Sequence, residues 1–308
     1  MSLEKLRKKM NRRINKMNKY IIFGFILFIF GCNNKSKNAL IDNMELIPGG
    51  EFMIGSDSAT ASYIAKKYPT DCDISWFSNQ FPQHKVKIDT FFIDKYEVTY
   101  GEFKNFIKST NYKPMGNWEE YYKILLDTVK MKKTFSKNDY NVLLKSIKKI
   151  DKFPVVGVTW EDALQYCRWR GKRLPTEAEW EYVAKGKEKN LIYPWGMEYD
   201  STKANVQNKI GPKPVGSYFP YSYNVYDLGG NAQEWCSDYY DENYYQLKEY
   251  DNPSGPKVGK QRVVRGGSWA LNGPFYAQSS TRTTIKIGSN YQNLVGFRCA
   301  CSLDDKKN

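Results

Sequence analysis

The residues of this chain that could carry chemistry fall in three places. The first is Asp227-Leu-Gly-Gly230-Asn-Ala232-Gln-Glu234, which sets two carboxylates around a pair of glycines. Glycine lets the backbone bend so that carbonyl oxygens turn inward, and carboxylates beside such carbonyls suit a hard cation such as calcium. The second is a set of cysteines, Cys72, Cys167, Cys236, Cys299 and Cys301, able in principle to do thiol or disulfide chemistry. No Cys-x2-Cys pair occurs and His84 is the only histidine, so zinc-finger and multi-histidine iron sites are excluded. A lone imidazole at a strand start is expected to be structural. The third place is Arg265-Gly-Gly-Ser268-Trp269, followed after a cysteine-free stretch by Gly296-Phe-Arg298-Cys299-Ala300. Glycine-rich phosphate-binding loops are missing.

Short, irregular elements must position these residues. Met44–Gly55 holds two short apolar runs around Pro48-Gly49-Gly50 and reads as a β-hairpin, and the alternation over His84–Asp94 reads as a second strand pair. Thr99-x-x-Glu102, Thr159-x-x-Asp162 and Thr176-x-x-Glu179 are capping boxes, in which hydroxyl and carboxylate satisfy free backbone amides reciprocally. They predict helices running to about Ile107, to near Gly171 and to about Lys185. Residues 111–152, rich in lysine, tyrosine and acids, read as a partly helical surface insertion before the core resumes at Phe153. Beyond Pro194-Trp-Gly196 the pattern is turns, glycines and short strands. No repeat, linker or charge block divides residues 44–303, which are expected to form one domain with a polar tail at 304–308.

The composition, 41% hydrophobic and 16% aromatic over 308 residues, supports one large core. The formal charge of +14 is not a nucleic-acid signature, because residues 1–19 alone carry eight lysines and arginines against Glu4. That basic segment precedes an apolar run of twelve, Tyr20–Gly31, too short to span a bilayer. With the abrupt polar turn after Cys32, this is the layout of a signal peptide over residues 1–31. A start at Met17 would leave residues 1–16 untranslated. Ile29-Phe30-Gly31-Cys32 is similar to a bacterial lipobox, so Cys32 is expected to be lipidated and residues 32–43 to tether the domain to a bacterial membrane, periplasmic or at the cell surface. Export makes the remaining cysteines disulfide-permissive.

Several ordered motifs span residues 44–303: Tyr96-Glu-Val-Thr99, Pro154-Val-Val-Gly-Val-Thr-Trp160, Ala163-Leu-Gln-Tyr-Cys167, Gly171-Lys-Arg-Leu-Pro-Thr-Glu-Ala-Glu-Trp-Glu-Tyr182, Pro194-Trp-Gly196, Gly229–Trp235 and the C-terminal frame. Together they resemble the formylglycine-generating enzymes, the sulfatase-modifying-factor family. The resemblance implies an α+β fold, an elaborated C-type lectin fold with little regular secondary structure. It implies a structural calcium held by the side chains of Asp227 and Glu234 and the carbonyls of Gly230 and Ala232. A weaker second site would begin at Asn205-Val206, although residues 207–213 look shortened and hold no acid. The alternative for Glu234 is a buried acid bonded to backbone amides or to Arg298. The family frame also pairs Cys167 with Cys299, against the competitor Cys301, which would share a strand face with Cys299.

Active members of that family hold copper through two cysteines, three and eight positions after the serine of Gly-Gly-Ser, and oxidise a substrate cysteine to formylglycine. Counted from Ser268, which is retained, those positions are Leu271 and Tyr276. Neither side chain can ligate soft copper or do thiol redox chemistry. Copper is therefore not expected, nor any catalytic residue. The expected function is an envelope lipoprotein that binds a protein or small ligand, or serves in an envelope assembly. Ala270–Leu294 has the asparagine, serine, threonine and tyrosine content of an adaptable recognition surface. Its candidate contacts are Asn272, Tyr276, Arg282, Asn290 and Tyr291, with Trp269 beside them. The rival reading is a formylglycine-generating or related oxygen-dependent oxidase, through Cys236 or Cys301 reaching the groove. Lipidation makes a direct demand: Cys32→Ala is expected to release the protein from membranes or to accumulate as precursor. Unchanged partitioning and mass would mean an ordinary anchor.

Overall fold

The two apolar runs flanking Pro48-Gly49 form strands, but not with each other. The computed structural model describes residues 41–187, 191–208, 210–271, 273–289 and 293–303, and the domain forms a unit from Asn43 onward. Within it β1 (Met44–Ile47) and β2 (Gly50–Ile54) diverge into different sheets. β1 pairs with β4 (Phe91–Asp94), while β2 pairs with β3 (His84–Ile88), all antiparallel. Both expected hairpins are thus replaced by a nested pairing in which the Pro48-Gly49 corner lies over the Ile88–Thr90 corner. Contact there is close enough to demand glycine: a Cβ on Gly49 would lie 2.7 Å from the Ile88 carbonyl oxygen and 2.8 Å from the Thr90 nitrogen. Long-range pairing wins because it buries Ile47, Phe91 and Ile93 in the core, which a local hairpin could not do.

β4 also pairs with β9 (Ala300–Ser302), so the end of the C-terminal frame joins the same sheet as β1, with β4 between them. A second sheet has the order β7 (Thr283–Lys286), β6 (Gln261–Arg265), β5 (Gln233–Tyr239), β8 (Val295–Gly296), with β5 and β8 parallel. The fold is therefore α+β, with the sheets and helices sharing buried clusters that meet around β5 and β6.

All three capping boxes form both of their hydrogen bonds. They open α2 (Tyr100–Thr110), α6 (Trp160–Trp169) and α7 (Glu177–Ala184); an earlier helix, α1 (Ser58–Lys67), starts on an Asp57 cap that the sequence pattern did not single out. The cap carboxylates do more than start helices. Asp162 also accepts from the Met115 and Gly116 amides and the Tyr112 hydroxyl, so it fastens the entry to the insertion. Helix α7 is buried along its whole length and carries Glu177 and Glu181 inside, where they pair with Arg282 and Arg265. Buried carboxylates persist here because each has a guanidinium partner.

The insertion is more helical and less superficial than its composition suggests. It folds as α3 (Glu120–Leu126), α4 (Thr128–Thr134) and α5 (Lys137–Ile147). Tyr122, Leu125, Met131 and Leu143 are buried in a cluster with Phe153, Val156, Ala232 and Trp269. Among the described residues no helix is long and apolar enough to cross a membrane. The expected signal peptide, Cys32, most of the tether and the tail at 304–308 lie outside the described residues.

Candidate functional site

The turn preceding β5 gathers most of the residues that the sequence put forward. Asp227 and Asn231 both adopt left-handed backbone, and a Cβ on Gly230 would sit 2.8 Å from the Asn205 carbonyl oxygen, so only glycine allows this approach. The Asn231 amide donates to that same carbonyl at 2.9 Å. Asn205 and the Asp227–Glu234 turn, expected to belong to two separate ion sites, are therefore one packed unit. The Asn205 side-chain amide donates to the Gly211 carbonyl and to Asn231 Oδ1, with Val206 buried beside it.

Glu234, the second residue of β5, has both carboxylate oxygens engaged. Oε2 accepts from Arg298 Nε at 2.7 Å and from Trp180 Nε1 at 2.9 Å, and Oε1 accepts from Arg298 Nη2 at 2.6 Å. The Arg298 partnership weighed for Glu234 is therefore formed. Arg298 also donates to the carbonyls of Asp94, Lys95 and Tyr226, which uses its whole planar fork. The Asp227 carboxylate accepts from the Gly216 amide at 2.7 Å, and burial pushes its pKa up to about 6.

Glu97 joins them without having been foreseen. It accepts from the Ala232 amide at 2.8 Å and from Asn231 Nδ2 at 2.7 Å. Burial, followed by the charges of Asp227 and Glu234, raises its pKa well above the ordinary carboxylate value. Its motif, Tyr96-Glu-Val-Thr99, was visible, but nothing in its spacing relates Glu97 to a turn more than a hundred residues away. Three buried carboxylates thus face one guanidinium, an imbalance that suits a cation. The side chains do not by themselves make a cage: among the described residues no three histidine, cysteine, aspartate or glutamate side chains are grouped to hold a metal. The ion that the resemblance implies would draw on the side chains of Asp227 and Glu234 and the carbonyls of Gly230 and Ala232, with Glu234 shared with Arg298.

The Ser268–Tyr276 segment, where the resemblance places the copper cysteines of active members and this chain has none, is tied to this turn through its backbone. The Trp269 amide donates to the Asn231 carbonyl at 3.0 Å, and the Trp269 carbonyl accepts from the Asn208 amide at 2.6 Å. Ser268 is buried and its hydroxyl accepts from the Leu271 amide at 3.3 Å, making a tight turn. Leu271 and Tyr276 are partly exposed, and the Tyr276 ring lies edge-on to Phe275 with centroids 5.3 Å apart.

Two expected surface contacts are corrected by the structure. Trp269 is buried beneath the insertion, its ring 5.2 Å from that of Tyr121. Arg282 is buried as the bidentate partner of Glu177, at 2.8 and 3.0 Å. The polar composition of Ala270–Leu294 also serves the interior in part: Ser279, Ser280 and Thr281 are buried and donate to the Ala184 carbonyl, Gln80 and the Phe275 carbonyl. Asn272, Asn290 and Tyr291 lie outside the described residues.

Among the cysteines, Cys167 meets Cys299 rather than Cys301. The two sulfur atoms lie 2.8 Å apart as neighbouring thiols, both buried, while Cys301 Sγ lies 3.5 Å from the Ser302 carbonyl oxygen. Cys236 and Cys301 have no exposed surface. Burial raises the Cys236 pKa well above its ordinary value, which disfavours its thiolate.

Residues 30–303 match the family model for the sulfatase-modifying factor enzyme 1-like domain. The bovine formylglycine-generating enzyme is 30% identical, over 82% of this chain and 73% of its own. The bovine inactive C-alpha-formylglycine-generating enzyme 2 is 31% identical, over 84% of this chain and 87% of its own. A serine/threonine-protein kinase pkn1 of Chlamydia pneumoniae is 32% identical over 86% of this chain, which spans only 39% of that relative's length. The solved structure of PvdO from Pseudomonas aeruginosa superposes with a TM-score of 0.61 at 23% identity, covering 84% of this chain and 94% of that one, a likeness of fold.

The Glu234–Arg298 pair gives this site a sharp test. Glu234→Gln leaves a fully buried guanidinium without its counter-charge, and chemical denaturation is expected to show a loss of about 3–5 kcal/mol, with or without calcium. A loss below about 1 kcal/mol would mean that the pair does not organise the turn.

Proposed function

This chain belongs to the sulfatase-modifying-factor family, and we propose that within it the protein is a lipid-anchored envelope component that binds rather than oxidises. One observation carries the proposal: Leu271 and Tyr276 stand where active members place the two copper-binding thiols. Copper(I) strongly prefers sulfur to aliphatic or phenolic groups. The burial of Cys236 and Cys301 supports the same reading, since neither offers a replacement thiol at a surface. Likeness to a bovine relative named inactive is as great as likeness to the bovine enzyme.

Anchorage through Cys32 is supported by the basic segment, the short apolar run and the polar turn that follows it. The anchored domain would meet a protein or small ligand, or sit in an envelope assembly. A structural calcium near Asp227 belongs to the proposal, supported by the excess of buried carboxylate there. Binding to the native state alone would raise Tm with calcium concentration, and Asp227→Asn should abolish that rise. A rise unaltered by Asp227→Asn would move the ion elsewhere.

The non-oxidative reading is tested by competition with a chromogenic copper(I) chelator. Wild type is expected to lose to the chelator, and the double variant Leu271→Cys with Tyr276→Cys to bind at least a hundredfold more tightly, because it restores both thiolates. Tight copper(I) binding by wild type would overturn the reading. A double variant that gains nothing would show that the backbone of the frame has diverged along with its side chains.

A further inference from the structure

We propose that a cleft between the Leu191–Lys203 and Gly216–Tyr226 segments binds an acidic oligosaccharide. The cleft has a volume of about 900 Å³, within the range of ligand pockets, and neither Leu271 nor Tyr276 lines it. The proposal therefore stands apart from the fate of the copper site.

The lining selects the chemistry. Trp195, Tyr218, Phe219, Tyr221 and Tyr226 contribute aromatic rings, whereas among the described residues Leu191 is the one branched aliphatic side chain, a poor match to a lipid tail. Flat rings accept the apolar C–H faces of pyranose sugars, while hydroxyls such as those of Thr202 and Ser222 meet the ring substituents. Phe219 is 89% exposed, the highest value among the large hydrophobic side chains described, so its ring is open to a ligand at the cleft.

The platform is fixed in advance. Trp195 Nε1 donates to the Glu198 carbonyl at 2.9 Å, and the Tyr221 hydroxyl donates to the Lys203 carbonyl at 3.0 Å. Their ring centroids lie 5.9 Å apart at 48°, so the two faces form a corner rather than a flat wall. Groups already held in place lose little freedom when a ligand arrives.

Charge narrows the ligand further. Lys203 lines the cleft, and no aspartate or glutamate does among the described residues. Lys213 adds a second cation at the edge, 2.6 Å from the Tyr218 hydroxyl and 4.6 Å from its ring centroid. A uronate carboxylate or a sugar sulfate would find charge-assisted partners there, which a neutral glycan would not use.

The test uses the purified full-length chain in detergent on immobilised neutral, uronate-containing and sulfated oligosaccharides. Retention of acidic members is expected, with neutral analogues at least tenfold weaker. Phe219→Ala and Lys203→Gln alter exposed side chains and should leave the fold intact. Phe219→Ala should weaken binding tenfold or more, and Lys203→Gln should erase the preference for acidic sugars. Lys257→Gln, exposed and outside the cleft lining, should change nothing. The proposal fails if no saccharide is retained. It fails equally if binding survives Phe219→Ala and falls as much with Lys257→Gln as with Lys203→Gln, because the attraction would then be to net charge alone.

Discussion

A guanidinium with no access to water is costly unless every donor is met and its charge is answered, and Arg298 meets both conditions in one place. Its two bonds to Glu234 neutralise it, and its remaining donors reach the carbonyls of Asp94, Lys95 and Tyr226. Those partners come from the end of β4, from the approach to the glycine turn and from the first residues of β5. The Gly-Phe-Arg frame, the Tyr96-Glu97 motif and the turn at Asp227–Glu234 therefore hold one another in register. Breaking the pair would strand a buried charge and loosen all three segments together.

This explains how the domain keeps its architecture while the reactive positions change. The Ser268 hydroxyl accepts from the Leu271 amide and Trp269 is anchored by backbone bonds to Asn231 and Asn208, none of which needs a thiol at position 271 or 276. The insertion adds a second restraint by covering Trp269 with Tyr121. A frame so restrained tolerates exchange of partly exposed side chains at low cost, because its stability resides in buried polar bonds and packing. Loss of copper chemistry, as proposed, would need no loss of fold.

Local chemistry was legible in the sequence and long-range partnership largely was not. Thr99, Thr159 and Thr176 announced their helices because a capping box is complete within four residues. The strands around Pro48 and Ile88 were legible as strands, but their alternation does not encode a partner, and the nested pairing depends on a corner contact at Gly49. Glu97 and Arg282 were obscured for the same reason, since their partners, at Asn231–Ala232 and Glu177, are remote in sequence. The serine and threonine run at 279–281 misled in the opposite direction, because hydroxyls that bond inward have the same composition as hydroxyls that await a ligand.

On the proposed reading, the family frame persists here without its oxidase chemistry. Oxygen consumption by the purified, copper-supplemented chain with a cysteine-containing sulfatase-type peptide tests it most directly. No consumption above that of copper and peptide alone is expected, and no formylglycine in the recovered peptide. Multiple turnovers with conversion of the peptide cysteine to formylglycine would contradict it.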